Sequence, residues 1–196
     1  ILPTIIAAVS ATEVSRWIMG NKIAFVQEIA GFSITSLIAC IALGALTGVI
    51  SILFVRSLHV WEKFFAKISL QPWIRATIGG LFVGVLGFYM PEVLSEGYSV
   101  TQSFLTDSIR PELGIILLFV LLKFLACGIT LGSGGIGGVF APSLVIGSGV
   151  GLAFGMILHL IQLDGIAEDA AFALAGMAGM VAGVMHGPLT GIFLVM

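Results

Sequence analysis

The sequence predicts an all-α, polytopic membrane protein with tilted and discontinuous helices, and three observations carry that reading. Hydrophobic residues make up 59% of the chain and charged residues 9%, against roughly 25% charged in a soluble domain. The mean hydropathy is +1.19. Ile29–Val55, Phe124–Leu163 and Ala170–Met196 contain no Asp, Glu, Lys or Arg, and each exceeds the roughly 20 apolar residues that cross a bilayer as a helix. A transmembrane β-barrel would instead show short segments of alternating apolar and polar residues. The formal net charge of −2, with no basic patch interleaved with aromatics, gives no reason to expect a nucleic-acid partner.

The elements follow in order. Ile1–Met19 reads as a first apolar helix closed by Gly20, Asn21 and Lys22, because glycine and asparagine favour a helix stop. After a polar linker around Gln27 and Glu28, Ile29 to about Lys67 is long enough for a strongly tilted span. It carries an amphipathic extension, VRSLHVWEKFFAK, and Pro72 ends it. Ile74–Met90 forms the next span, closed by Pro91. Thr101–Ser108 is too short to cross alone, and Pro111 opens a helix running to about Leu131. Past a glycine-rich run, Pro142 begins a helix to about Leu163. The acidic loop DGIAED then leads into Ala170–Val184, and Pro188 starts a last helix. Apolar segments broken by Gly and Pro are the mark of discontinuous helices, which aim their ends at a substrate near the membrane midplane.

Two finer expectations attach to these spans. Arg56, Lys63, Lys67 and Arg75 are four of the eight basic residues, and the positive-inside rule puts their connection in the cytoplasm. Gly44/Gly48, Gly80/Gly84, Gly151/Gly155 and Gly183/Gly187 each place two bare patches on one helix face. Tight packing within the chain is the expected use of each pair. Both ends of the chain fall inside apolar stretches, so residues 1–196 are expected to be a piece of a longer membrane domain, without a soluble domain.

The run GSGGIGGVFAPSL, residues 132–144, holds the chemistry. Gly132, Gly134 and Gly137 match G-x-G-x-x-G, but a dinucleotide site needs a preceding strand and an acidic residue about 20 positions on. Here a membrane helix precedes the run and Pro142 follows it closely. A P-loop fails too, because no Lys-Ser or Lys-Thr follows the glycines. His59 and Glu62 could share a helix face, yet they lie in a basic interfacial stretch where a solvated face is the better account. His159 sits near a helix end, where snorkelling suffices, and His186 precedes Gly187-Pro188, where a local hydrogen bond suffices. An intramembrane enzyme using His186 or His159 is therefore a weak alternative. Cys40 and Cys127 read as buried inert thiols. No metal site and no cofactor are expected. Lys123 lies within an apolar helix, at a cost of about 3 kcal/mol on insertion scales. A function, snorkelling and a structural contact to backbone carbonyls are all open for it.

Helix starts leave N–H groups unpaired, and the helix dipole adds positive potential there. Gly137 and Gly138 let an ion approach the backbone, Pro142 suits a first helical turn, and Ala141 before it is pushed from the α region, so the helix begins about there. The amides of Gly138, Val139 and Phe140 are then expected to point outward, and a small anion would satisfy them. One helix terminus contributes up to about 2 kcal/mol, less than an ion loses on leaving water, so several donors must converge.

LLKFLACGITLGSGGIGGVFAPSL resembles the segment around the G-x-F-x-P motif of the CLC family of chloride channels and chloride/proton exchangers, here Gly138-Val139-Phe140-Ala141-Pro142. AGMAGMVAGVMHGPLTGIFLVM is similar to the helix pair that follows in that family. The resemblance covers essentially the whole chain, as roughly the second half of the membrane domain. It implies a CLC-type inverted-repeat architecture, of which this is part, and a homodimer in the bilayer with a separate path for chloride or a similar anion in each subunit. It assigns the amides of Val139 and Phe140 to the central anion site, and puts the first and last helices at or near the dimer interface. It also implies that the anion-site serine and the gating and proton-handling glutamates lie upstream, and the closing tyrosine downstream. Channel and exchanger therefore stay open, and the isolated piece is expected not to transport. Phe140 favours the chloride type over fluoride-selective members. A carrier for another small substrate is the alternative.

Overall fold

The computed structural model describes residues 2–19, 33–94, 97–105, 112–162 and 165–195. Eight α-helices and one 3-10 turn occur among them, and no strand. They are α1 (Leu2–Met19), α2 (Ile34–Ala66), α3 (Pro72–Tyr89), the turn Pro91–Val93, α4 (Tyr98–Leu105), α5 (Leu113–Gly132), α6 (Phe140–Leu160), α7 (Asp169–Met185) and α8 (Pro188–Val195). α2, α3, α5 and α6 are long and apolar enough to cross a membrane. α2 has 33 residues, about 50 Å at the α-helical rise and well beyond the roughly 30 Å hydrocarbon core.

Local chemistry explains most boundaries. Ser33 caps α2 by accepting from the Ser36 amide at 3.2 Å, and both serine hydroxyls also donate to the Gly165 carbonyl. Ser36 in turn accepts from the Ala167 amide at 2.9 Å, so the start of α2 is tied to the α6–α7 connection. α2 closes at Ala66, ahead of Pro72, which instead occupies the first turn of α3. There its missing N–H costs nothing. The Arg75 guanidinium reaches back to the Phe65 carbonyl at 3.2 Å, holding the end of α2 against α3. The expected stops at Gly20–Lys22, the linker at Gln27-Glu28 and the start at Pro111 lie outside the described residues.

The core is built around α6. Every residue from Ser143 to Ala153 is buried. One face joins Phe104, Ile116, Phe119 and Met177, and the other joins Leu43, Phe54, Phe172 and Met180. α6 and α7 run antiparallel in close contact, because a Cβ at Gly151 would strike the Phe172 carbonyl and one at Gly176 the Gly147 carbonyl. The pair Gly151/Gly155 thus packs within the chain as expected, and Gly183 rests on Ser51. Gly44/Gly48 and Gly80/Gly84 do not: nothing approaches within 4 Å of a Cβ at any of the four. On α2 the buried stripe is Leu43, Thr47, Ser51 and Phe54, and Gly44 and Gly48 sit about 65° and 105° of helical rotation from its middle.

Candidate functional site

The glycine run is a hinge between two helix ends. α5 closes in a Schellman motif, with the Gly135 amide on the Thr130 carbonyl at 2.9 Å and the Gly134 amide on the Leu131 carbonyl at 3.2 Å. Gly134 takes φ +96°, a region open to glycine at little cost. Gly128 and Gly132 serve packing instead, since a Cβ on either would collide with Trp61 of α2. His59 and Glu62 flank that contact and are both exposed. The His59 Nδ1 lies 2.9 Å from the Val55 carbonyl.

α6 starts two residues earlier than the sequence suggests. Phe140 is its first residue and Val139 its N-cap, with φ −93° and ψ −12° and no capping side chain. Ala141 is helical, and Pro142 is the third helical residue instead of the first. The third amide of a helix has no intrahelical carbonyl to bond, so proline is harmless there as well. The first return bond runs from the Ser143 amide to the Val139 carbonyl at 3.1 Å. Among the described residues, no acceptor meets the amides of Gly138, Val139, Phe140 or Ala141. A Cβ on Gly138 would also meet open space.

Gly138, Phe140 and Ala141 border a partly open cavity of about 590 Å³. Gly137, Gly138, Phe140, Ala141 and Pro142 line one side; Lys123, Ala126, Cys127 and Thr130 of α5 line another; Val83, Val93 and Leu94 complete it. Val139 is not among the lining residues, and it packs, partly buried, against the core cluster that includes Phe54 and Ile146. No Asp or Glu is found among the described lining residues. Lys123 is 5% exposed and its ammonium donates to the Val93 carbonyl at 2.8 Å. The backbone contact left open by the sequence is therefore present. Sequence reasoning did not bring Lys123 to the glycine run, although 123, 126, 127 and 130 form one helical stripe.

The other candidates lie elsewhere. His159 gains a partner that the sequence did not suggest, Asp169, with Nδ1 at 2.7 Å from Oδ1. The pair clamps the end of α6 to the start of α7 at an exposed site. His186 takes the left-handed C-cap position of α7, φ 52°, where its backbone N–H bonds the Ala182 carbonyl. The antiparallel α6–α7 hairpin puts these two histidines at opposite ends. No cluster of three metal-ligating side chains occurs among the described residues. Cys40 and Cys127 are both free thiols, half-buried and buried.

Four helices long and apolar enough to cross a membrane, with a helix break and a cavity beside it, mark a polytopic membrane protein with discontinuous helices. A family model described as voltage gated chloride channel matches residues 1–196, and the chain belongs to that family. It is 35% identical over 189 residues to the voltage-gated ClC-type chloride channel ClcB of Escherichia coli O9:H4 (strain HS), covering 95% of this chain and 45% of ClcB. The same figures hold for ClcB of Escherichia coli (strain K12 / DH10B). The fold matches the crystal structure of a slow cyanobacterial Cl⁻/H⁺ antiporter with a TM-score of 0.82 and 31% identity, over 95% of this chain and 44% of that one. The chain thus spans somewhat less than half the length of the relatives it matches.

Proposed function

We propose that the chain forms roughly the second half of a CLC membrane domain and contributes to a transmembrane path for chloride or a similar small anion, as a channel or an anion/proton antiporter. The observation that carries this reading is the start of α6, where the amides of Gly138, Val139 and Phe140 meet no acceptor among the described residues and Gly138 and Phe140 line a cavity. Gly137 and Gly138 leave the backbone approachable, while Ala141 and Pro142 hold the first turn without competing for the anion. Neutral amides suit conduction, because a directly ligating full charge would hold the ion too long. The family relatives are named as a chloride channel and a Cl⁻/H⁺ antiporter, which supports the transport reading over the enzymatic one. A homodimer in the plasma or inner membrane completes the proposal.

Replacing the Val139 amide by an ester removes one donor and leaves every side chain in place. In the intact protein, halide affinity is expected to fall about tenfold or more, the worth of a hydrogen bond to an ion. Bromide soaked into crystals should give anomalous density beside Val139 and Phe140. An empty site at saturating bromide would sink the reading, and unchanged affinity in the ester would remove the Val139 amide from it.

A further inference from the structure

We propose that the outward face of the last three turns of α2 docks the headgroups of acidic phospholipids, with Arg56, Lys63 and Lys67 meeting their phosphates. Among the described residues that line the cavity at α6, none belongs to α2, so this surface is independent of the anion path.

At the α-helical turn, Arg56, Lys63 and Lys67 fall within about 20° of one line along α2, and all three are exposed. The buried stripe, Leu43 to Phe54 and again Phe65, lies on the opposite side of the helix. Glu62 is the only acidic residue between Glu28 and Glu92, and it sits about 120° of rotation from Arg56. No carboxylate among the described residues pairs with the three basic side chains. The same face is apolar before the row begins: Ile38, Val49 and Ile52 lie within about 40° of it, each more than half exposed. Residues 34–55 carry no charge and rise about 33 Å, enough to fill a hydrocarbon core of about 30 Å. Arg56 is thus the first charge at the boundary, and the row runs about 16 Å beyond it. Arg75 on the Phe65 carbonyl, and Trp61 against Gly128 and Gly132, hold this end of α2 in place. The positive-inside rule puts it on the cytoplasmic side, whose leaflet carries anionic lipids. A face that is apolar to the depth of the acyl chains and basic past them complements one layer of acidic lipid.

The test is retention of fluorescent phosphatidylglycerol against phosphatidylcholine by the intact protein, immobilised in detergent. The wild-type protein should prefer phosphatidylglycerol, and the triple variant Arg56→Gln, Lys63→Gln, Lys67→Gln should lose that preference by about tenfold or more. Added salt should weaken the wild-type preference, as screening of exposed charges requires. At matched ionic strength, inorganic phosphate should not displace the lipid; displacement would mean a site for a free anion and would overturn the proposal. Lys63 and Lys67 also suit the C-terminal end of a helix dipole. A role confined to the dipole would lower thermal stability in the triple variant and leave its lipid preference at the wild-type level, which would overturn the proposal too. If the triple variant does not fold, Val60→Lys and Val60→Glu probe an exposed position beside the row. Phosphatidylglycerol retention should rise in the first and fall in the second, and equal retention would sink the lipid site.

Discussion

Gly134 and Lys123 reach the same site by opposite physical routes. Gly134 matters for its backbone: at φ +96° a Cβ is unfavourable, and the Schellman closure of α5 depends on that residue. Gly134→Ala should lower stability by about 1–2 kcal/mol, the cost of a left-handed conformation for an ordinary side chain. Gly134→Asn should cost less, because asparagine tolerates that region. Unfolding in detergent, followed by near-UV circular dichroism, compares the two; equal losses would mean that φ is not what glycine supplies there. Lys123 matters for its side chain, whose ammonium donates to the Val93 carbonyl and so offsets in part its cost in an apolar helix. The glycine is recognisable from sequence as a turn former. The lysine is recognisable only as an anomaly, because its partner is 30 positions away.

Helices were legible to the extent that local chemistry sets them. The ends of α3 and the C-terminal end of α5 fall within about two residues of their expected places, where Pro72, Pro91 and the glycines act on their own neighbours. The start of α6 was misplaced, because proline is acceptable at either the first or the third helical position and sequence does not choose between them. The glycine pairs show the other limit. Spacing puts Gly44/Gly48 and Gly151/Gly155 on helix faces alike, yet only the latter face is covered, by α7. Which face meets a partner depends on the assembled bundle. Gly176→Ala should therefore cost about 1–3 kcal/mol through overpacking against the Gly147 carbonyl. Gly44→Ala should stay within about 0.5 kcal/mol, as an open position does. Similar effects at the two glycines in the same unfolding assay would contradict the packing described.

The described helices form a core around α6 and α7 with an apolar periphery. α6 buries 67% of its most apolar window, whereas α2 buries 28% and α3 11%. Lipid can cover such a surface, and so can protein. α8 is pinned through Gly191, where a Cβ would press on the Ala178 carbonyl at 2.5 Å, and it turns Ile192 and Phe193 outward, 51% and 72% exposed. A rigid helix with an outward apolar face is a suitable element for a symmetric contact, in which the same patch on two copies meets itself. Under the proposed homodimer, Ile192→Cys, in a background with Cys40 and Cys127 replaced, should cross-link to the same residue of a second copy in membranes. The Gly44→Cys variant, on a helix whose partner is not specified by the chain, provides the comparison. A dimer band on a denaturing gel for Ile192→Cys and none for Gly44→Cys would place α8 at the interface. No cross-link from Ile192→Cys, in protein that light scattering shows to be dimeric, would move the interface to another face.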